Sequence, residues 1–177
     1  MTTFAVHTPV LRTARLTLRQ PAPLDEAAVV AFYMSERSQY AGGFVPRFRA
    51  CSNFFALLGH WQCRGFGLWA VTETGRDDAI IGLVGPYYPD GWPETECGWL
   101  MFDGHEGKGY AFEAAQAALQ DCRTRLGWTD IVHYIAPPNR RSIALAERLG
   151  ARLDAGATVP KPEDPCLVYR QPLAGMA

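Results

Sequence analysis

The sequence lacks several features that would assign it to a class at once. No apolar run approaches the roughly 20 residues that a membrane-spanning helix needs. The formal net charge is −1, so there is none of the basic excess that marks a general nucleic-acid binder. The first residues lack a basic start followed by an apolar segment and therefore predict no secretory signal. Together these absences predict a cytoplasmic protein with no membrane or nucleic-acid partner.

Cysteine is also sparse, and its pattern excludes two further classes. The five cysteines stand at positions 51, 63, 97, 122 and 166, and none of them are paired at the spacing of a metal site. An odd number of widely spaced cysteines does not suggest a disulfide framework. We therefore expect reduced thiols and no zinc or other metal.

The residues that are present have the composition of a globular protein. Apolar residues make up 48% of the 177-residue chain and charged residues 20%. No internal repeat, low-complexity segment or linker divides the chain. The sequence therefore predicts a single domain over residues 1–177, long enough to bury a sizeable core.

The most informative stretch covers residues 94–120. Residues 96–102 are apolar and aromatic, as in a short buried strand. Residues 103–109 contain three glycines separated only by charged or imidazole side chains. From about Tyr110 onward, apolar residues recur at helical spacing. This order predicts a strand, a glycine-rich loop and a helix.

That arrangement suggests an anion site. The first turn of a helix leaves backbone N–H groups unpaired at the positive end of the helix dipole. Gly107 and Gly109 would let a phosphate approach the backbone, and Lys108 adds positive charge. The alternative is an ordinary turn that binds nothing. The loop is not a Walker A loop, because Gly109 stands where that loop needs Ser or Thr, and its glycine spacing does not match the dinucleotide fingerprint.

The segment from Glu106 to Ala111, EGKGYA, resembles the acyl-CoA pyrophosphate loop of the GNAT superfamily of N-acetyltransferases. Gly109 and Ala111 match that loop, whereas Glu106 stands where the family usually has Arg or Gln. Residues 96–100, ECGWL, resemble the fourth strand of the branch that acetylates ribosomal-protein N-termini, including N-terminal alanine. Residues 138–150 resemble its second cofactor segment. The resemblance is strongest over residues 80–153.

The resemblance implies both a fold and a cofactor. The fold would be α/β (α+β), a mixed, mostly antiparallel twisted sheet of about seven strands with about four helices on both faces. The co-substrate would be acetyl-CoA, without a metal. Its phosphates would meet the backbone of a loop that comprises His105, Glu106, Gly107, Lys108, Gly109, Tyr110 and Ala111.

The resemblance also implies contacts for the rest of the cofactor. Leu100, Met101 and Phe102 would run along the pantetheine arm. A backbone N–H near Leu100 or Met101 would polarise the thioester carbonyl. Asn139 and Ser142 lie in the second cofactor segment, where Asn139 is a helix cap, a cofactor contact or both.

Glu96 is our first choice for the general base, because it matches a glutamate common in this branch and shares a strand face with Leu100. The alternative is an ion pair with an arginine such as Arg140 or one in the first strand. Glu94 and His133 are the next candidates for the base.

The general acid is less well defined by the sequence. Ala146 occupies the position of the family's tyrosine acid, so the candidates are Tyr134, Tyr169 and solvent. Tyr169 is the one that we assign.

The predicted function is acetyl transfer to a primary amine, either a protein N-terminus or a small molecule, by a monomer or homodimer. The alternative is a non-catalytic acyl-CoA-binding sensor or partner module. Residues 35–55 and 87–93 would wall the acceptor site. Within them the candidate contacts, which plain packing would also explain, are Tyr40, Phe44, Arg47 and Phe48.

The remaining patterns predict further elements. Strands are expected at residues 15–19, 68–72, 79–85, 130–135 and 166–170. Helices are expected from Asp25-Glu26, from Asn53 as the N-cap through residue 62, and from Asn139 as the N-cap through residue 149.

Overall fold

A computed structural model describes residues 9–174. Residues 1–8, which carry most of the segment that predicts no secretory signal, lie outside the described part, as do residues 175–177. One sheet of eight strands organises the described chain, in the order β1-β2-β3-β4-β5-β6-β8-β7. The strands are β1 Leu11–Arg12, β2 Leu16–Arg19, β3 Trp69–Glu73, β4 Ile80–Tyr87, β5 Glu96–Met101, β6 Asp130–Ile135, β7 Arg152–Leu153 and β8 Leu167–Pro172.

The sheet is mixed and mostly antiparallel, as predicted. Every neighbouring pair is antiparallel except β5 and β6, which are parallel and joined through a helix. The prediction of about seven strands is close to the eight observed. Both β1 and β7 contain two residues, which is too short to show the period-two pattern by which strands are found in a sequence.

Within residues 9–174, four α-helices cover the sheet, and the predicted number is confirmed. They are α1 Glu26–Tyr33, α2 Arg47–Arg64, α3 Tyr110–Thr124 and α4 Arg140–Arg148. Helices α1 and α2 pack in one apolar cluster with Leu83 and Leu100, whereas α3 packs with Cys97 and Trp99 of β5 in another. Because side chains alternate along a strand, these clusters lie on opposite faces of the sheet. None of the helices within residues 9–174 is both long and apolar enough to cross a membrane.

The predicted start of α2 is wrong. Asn53 does not cap this helix but lies in its second turn, because α2 begins at Arg47 directly after Pro46. Proline suits a helix start, since its missing N–H would be unpaired there in any case. The buried stripe of α2 begins at Ala50 and continues through Phe54, so the helical pattern extends upstream of Asn53.

Candidate active site

The strands β5 and β6 form a gap in the middle of the sheet. They pair only at Glu96 and Val132, where the Val132 N–H donates to the Thr95 carbonyl at 3.2 Å. Toward the carboxyl end of β5, the Phe102 N–H donates to Ile81 of β4 at 2.9 Å. Because N–H directions alternate along a strand, the N–H of Leu100 also points to β4, whereas that of Met101 points into the gap. Of the two backbone N–H groups predicted to polarise the thioester carbonyl, that of Met101 is therefore the one that is not directed at a neighbouring strand.

His133 closes the narrow end of the gap. Its Nδ1 lies 2.7 Å from the Cys97 carbonyl oxygen, and because a carbonyl only accepts, Nδ1 carries the proton. The ring also packs against Trp99, with centroids 4.8 Å apart. Burial lowers the pKa of His133 to about 4, so the ring is neutral. His133 thus supports the site structurally, which leaves it poorly suited to act as the base.

The glycine-rich loop connects β5 to α3 and presents unpaired donors. Gly104, Gly107 and Gly109 have φ of 78°, 73° and 79°, the left-handed conformation that glycine adopts most readily. A Cβ added at Gly107 would meet no atom within 4 Å, so the space outside the loop is open. The first helical bond of α3 runs from the Glu113 N–H to the Gly109 carbonyl at 3.1 Å. The N–H groups of the preceding turn therefore have no partner within the helix.

An ion pair fixes the start of α3 against the edge of the sheet. Glu113, in the first turn, accepts hydrogen bonds from the Thr13 hydroxyl at 2.6 Å and from Arg15 Nε at 2.7 Å. Arg15 also donates to the Lys108 carbonyl at 3.0 Å, and its guanidinium lies 4.8 Å from the centre of the Tyr110 ring. The loop is therefore positioned before any ligand binds, which favours binding because less conformational entropy is lost.

Glu106, the residue that departs from the family pattern, is bound to two arginines. Its carboxylate contacts the guanidinium of Arg37 directly and lies 3.9 Å from that of Arg141. Burial alone would raise the pKa of Glu106, but its own backbone N–H and these two guanidiniums lower it on balance. The negative charge in the loop is therefore ionised and compensated.

Glu96 stands at the other end of β5 in a different environment. Burial raises the pKa of Glu96 to about 7, opposed by the Trp92 indole and by the backbone of Tyr134. The Trp92 N–H approaches the carboxylate but completes no hydrogen bond with any described group. No arginine or lysine in the described part of the chain pairs with Glu96, so the alternative of an arginine ion pair finds no support there. A carboxylate with a pKa near 7 is suited to take a proton at neutral pH.

Aromatic side chains surround Glu96. Its charge contributes to raising the pKa values of Tyr33, Tyr87 and Tyr134, after the larger effect of burial, so all three lie near it. Burial is the main effect that raises the pKa of Tyr134 to about 12, and the Glu94 backbone N–H approaches its buried hydroxyl without completing a hydrogen bond. Strand alternation places Tyr134 on the same face of the sheet as Glu96.

Tyr169, the residue assigned as the acid from the sequence, lies elsewhere. It is buried in a cluster with Ile135 and Ala146, which is the α4 side of the sheet. Its hydroxyl donates to Glu147 of α4 at 3.3 Å. This placement puts Tyr169 on the face opposite Glu96 and favours Tyr134 for the acid.

Glu94, a second candidate for the base, is engaged in a charge network. Two nitrogens of Arg170 donate to its carboxylate oxygens at 2.7 and 3.0 Å, and the same guanidinium also binds Asp130 and Asp154. Glu94 and Asp130 line a depression of about 330 Å³ at the amino ends of β5 and β6. That depression is at the opposite end of β5 from the glycine-rich loop.

The second cofactor segment forms the start of α4. The Asn139 side-chain oxygen accepts the Ser142 N–H at 3.2 Å, so the predicted N-cap is confirmed. The Ser142 hydroxyl accepts the Trp99 indole N–H at 3.1 Å. These bonds fix α4 to β5 beside the gap, and the cofactor role of both residues stays a prediction.

The predicted acceptor wall exposes aromatic side chains. Tyr40, Phe44 and Phe48 are 45%, 65% and 79% exposed, so packing does not explain them. The 87–93 segment is fixed through His60, whose Nδ1 donates to the Phe66 carbonyl at 2.7 Å while its Nε2 accepts the Tyr88 N–H at 3.0 Å. Burial is the main effect that lowers the pKa of His60, which keeps this bridging ring neutral.

The sequence did not reveal the basic residues around the loop. Arg15, Arg37 and Arg141 come from three other parts of the chain, and Arg37 is 64 residues from the carbonyl of Met101 to which it donates. Only Glu106, a carboxylate in a predicted anion site, signalled that a basic partner must lie near it.

A parallel pair of strands that separates beside a glycine-rich helix start forms a groove in this α/β fold, and comparison with known proteins identifies the family. The chain matches the Acetyltransferase (GNAT) domain family over residues 15–152 and belongs to that family. It is similar in structure to an acetyltransferase from Agrobacterium tumefaciens strain C58, with 38% identity, a TM-score of 0.86 and coverage of 96% of this chain and 98% of the other.

Two further proteins extend the comparison. The ribosomal L7/L12 α-N-protein acetyltransferase RimL, solved in complex with coenzyme A, has the same fold at 14% identity, with a TM-score of 0.72 and coverage of 93% and 98%. The Bacillus subtilis protein YkkB, itself uncharacterised, is 30% identical over 109 residues. That alignment covers 60% of this chain and 62% of YkkB.

Proposed function

We propose that this protein transfers an acetyl group from acetyl-CoA to a primary amine, on a protein N-terminus or a small molecule. One observation carries the proposal. The gap between β5 and β6 has the open glycine-rich loop, residues 103–109, at one end, and we call this loop the cradle. At the other end is the carboxylate of Glu96, whose pKa is about 7. Anion binding and proton removal are two of the requirements of this reaction, and a single strand connects the groups that would meet them.

The residues present fit the cofactor. The unpaired N–H groups at the start of α3, the open space outside Gly107 and the nearby Lys108 suit a pyrophosphate. The Met101 N–H points into the gap, where an extended arm with amide groups would run along β5. Acetyl-CoA supplies an acetyl group activated as a thioester, and the RimL structure with coenzyme A supports this choice for a protein of the same fold.

The chain's own side chains then act on the amine. An alkyl ammonium must lose a proton before it can attack, and Glu96 is placed to take that proton directly or through one water. The Met101 N–H would stabilise negative charge that develops on a carbonyl oxygen in the gap. Tyr134, neutral and unpaired, would give a proton to the leaving thiolate. The aromatic residues near Glu96, which are Tyr33, Tyr87 and Tyr134, would favour a cationic amine.

Binding of CoA to Gly107→Asp, measured by calorimetry, tests the cradle. The variant puts a carboxylate into the open space that a phosphate would fill, so we expect at least a tenfold loss of affinity. Gly107 is a better target than Gly109, where a new Cβ would lie 3.5 Å from Arg15 and an aspartate could pair with it. Gly75→Asp is the matched control, because Gly75 also has a positive φ and open space but lies in the β3–β4 hairpin. Equal affinity in all three proteins would remove the loop from the site.

One observation favours the second candidate, a binding module that holds acyl-CoA without turnover. Ala146 is fully buried at the position of the family's tyrosine acid, so that group is missing. An amine screen that follows thiol release separates the two functions. Turnover with any primary amine supports the enzyme, whereas CoA binding without turnover across amines and N-terminal peptides supports the module.

A further inference from the structure

The carboxylate of Glu106 lies inside the predicted phosphate cradle, together with an arginine from a distant segment. We propose that Arg37 is a cofactor-phosphate ligand and that Glu106 positions it. Arg37 would thereby replace the basic residue that the family loop usually carries. This inference rests on the proposed function, because it assumes that the cradle binds an acyl-CoA phosphate.

The position of Arg37 is fixed on two sides. It belongs to the short 3₁₀ helix Glu36–Tyr40, between α1 and α2. One terminal nitrogen contacts the Glu106 carboxylate, and the other donates to the Met101 carbonyl at 3.2 Å. The guanidinium therefore bridges the end of β5 and the loop, which is the mouth of the gap.

Arg37 retains the capacity to bind an anion. A guanidinium has five N–H donors, of which these two contacts use only part. Its side chain is 33% exposed, so one side faces solvent at the place where a phosphate would arrive. Arginine also forms short, paired hydrogen bonds to phosphate. Arg141 is a weaker candidate, because its side chain is 87% exposed and its one ion-pair contact is at 3.9 Å.

The charges on and around the loop sum to a positive value. Arg37 and Arg141 flank Glu106, and Asp103 is 93% exposed at 3.9 Å from Arg37. Lys108 lies on the other side of the loop, with its ammonium 5.9 Å from the centre of the Tyr110 ring. Farther along the loop, Arg15 is neutralised by Glu113. The cations near the loop thus outnumber the acids by one. Without Arg37, the cations would no longer outnumber the acids, and the carboxylate of Glu106 would repel a phosphate.

Calorimetry with CoA and with 3′-dephospho-CoA tests the role of Arg37. Arg37→Ala should lower the affinity for both compounds by the same factor, about tenfold, because Arg37 would bind the pyrophosphate, which both compounds carry. Added salt should weaken binding less in the variant than in wild type, since one charge contact is gone. Arg152→Ala, on the edge strand β7, is the matched control and should bind both compounds like wild type.

Glu106→Gln separates a positioning role from a simple defect. In wild type, the substitution should loosen CoA binding a fewfold, because Arg37 loses its holder. In the Arg37→Ala background, it should tighten binding, because an uncompensated carboxylate is removed. Tightening in both backgrounds would overturn the positioning role. A merely structural contact would move the melting temperature but would not produce this change of sign.

The outcomes for this inference and for the proposed function are distinguishable. If Arg37→Ala binds CoA as tightly as wild type does, the inference about Arg37 is overturned and the proposed function is not. No CoA binding by folded wild-type protein would overturn both.

Discussion

Two glutamates at the two ends of one cleft show how environment decides what a side chain does. Glu96 and Glu106 are ten residues apart, at the start of β5 and in the loop after it. Around Glu96 the structure places aromatic rings, with no paired cation among residues 9–174, and burial raises the pKa of Glu96 to about 7. Around Glu106 it places Arg37 and Arg141, and the pKa is lowered.

The contrast shows that the same carboxylate is suited to two different tasks. A carboxylate that is costly to ionise holds a proton near neutral pH and can exchange it with a substrate. A carboxylate that stays ionised can fix a guanidinium in place. Substitutions at each glutamate test whether its surroundings determine its role.

We expect substitution of Glu96 to change turnover more than any other substitution. Glu96→Gln removes the proton acceptor while keeping the shape of the side chain, so kcat/KM should fall about a hundredfold or more. CoA affinity should stay within twofold of wild type, because the substitution is at the far end of β5 from the cradle. In wild type, kcat/KM should rise with pH through about 7, and this rise should disappear in the variant. Steady-state kinetics over pH 5.5–8.5 measures both effects.

Glu94→Gln is the matched control for that experiment. It changes a carboxylate two residues away that is held by Arg170. Its turnover should stay close to wild type. If Glu94→Gln loses as much activity as Glu96→Gln, or if both lose CoA affinity in proportion, the base is not Glu96.

The second effect concerns the free energy of unfolding, to which Glu96 and His133 make opposite pH-dependent contributions. The folded pKa of Glu96 is raised from 4.5 to about 7, so the folded state holds the extra proton and stability falls as pH rises through this range. The folded pKa of His133 is lowered from 6.5 to about 4, so the unfolded state takes the proton first and stability falls as pH drops. Each shift corresponds to about 3 kcal/mol, an upper value for Glu96 because its side chain keeps some exposed surface.

Between pH 4.5 and 6.5 these two contributions oppose each other and should nearly cancel. Urea unfolding at several pH values should therefore show stability rising with pH more steeply in Glu96→Gln than in wild type. In His133→Asn, which keeps a donor for the Cys97 carbonyl, stability should fall with pH instead. Parallel slopes in all three proteins would mean that neither group is buried as the structure shows.

The fold was largely predictable, because its signals are local. The β5 strand, the glycine-rich loop and the start of α3 at Tyr110 follow from side-chain period and glycine content, and the structure confirms them. The start of α2 was wrong because Asn53 is a good cap in isolation, whereas Pro46 and the buried Ala50 extend the helix upstream. The short strands β1 and β7 exist only through pairing with neighbours, which leaves no periodic pattern.

The candidate site residues along β5 and its loop were proposed from the sequence, whereas the contacts between distant elements were not. Glu96 and the glycines are features of one stretch, so the resemblance pointed to them as candidates. Arg37 reaches the loop from another part of the chain, and a single arginine in a 3₁₀ helix gives no signal of that contact. The choice between Tyr134 and Tyr169 depended on which face of the sheet each occupies, and this required the register of β6 and β8.

The smallest effect in turnover is expected from the two tyrosines, which extend the comparison to the two faces of the sheet. Tyr134→Phe should lower kcat about tenfold, because it removes a hydroxyl that lies near Glu96 and has no partner among the described residues. Tyr169→Phe should leave kcat nearly unchanged and slightly lower the melting temperature, since its hydroxyl bonds Glu147 on the other face. The two variants lose the same atom, so each is the control for the other. The reverse result would return the acid to Tyr169 and require the thiolate to leave on the α4 side. Equal and small losses would mean that solvent supplies the proton, in which case Glu96 alone carries the proton chemistry of this cleft.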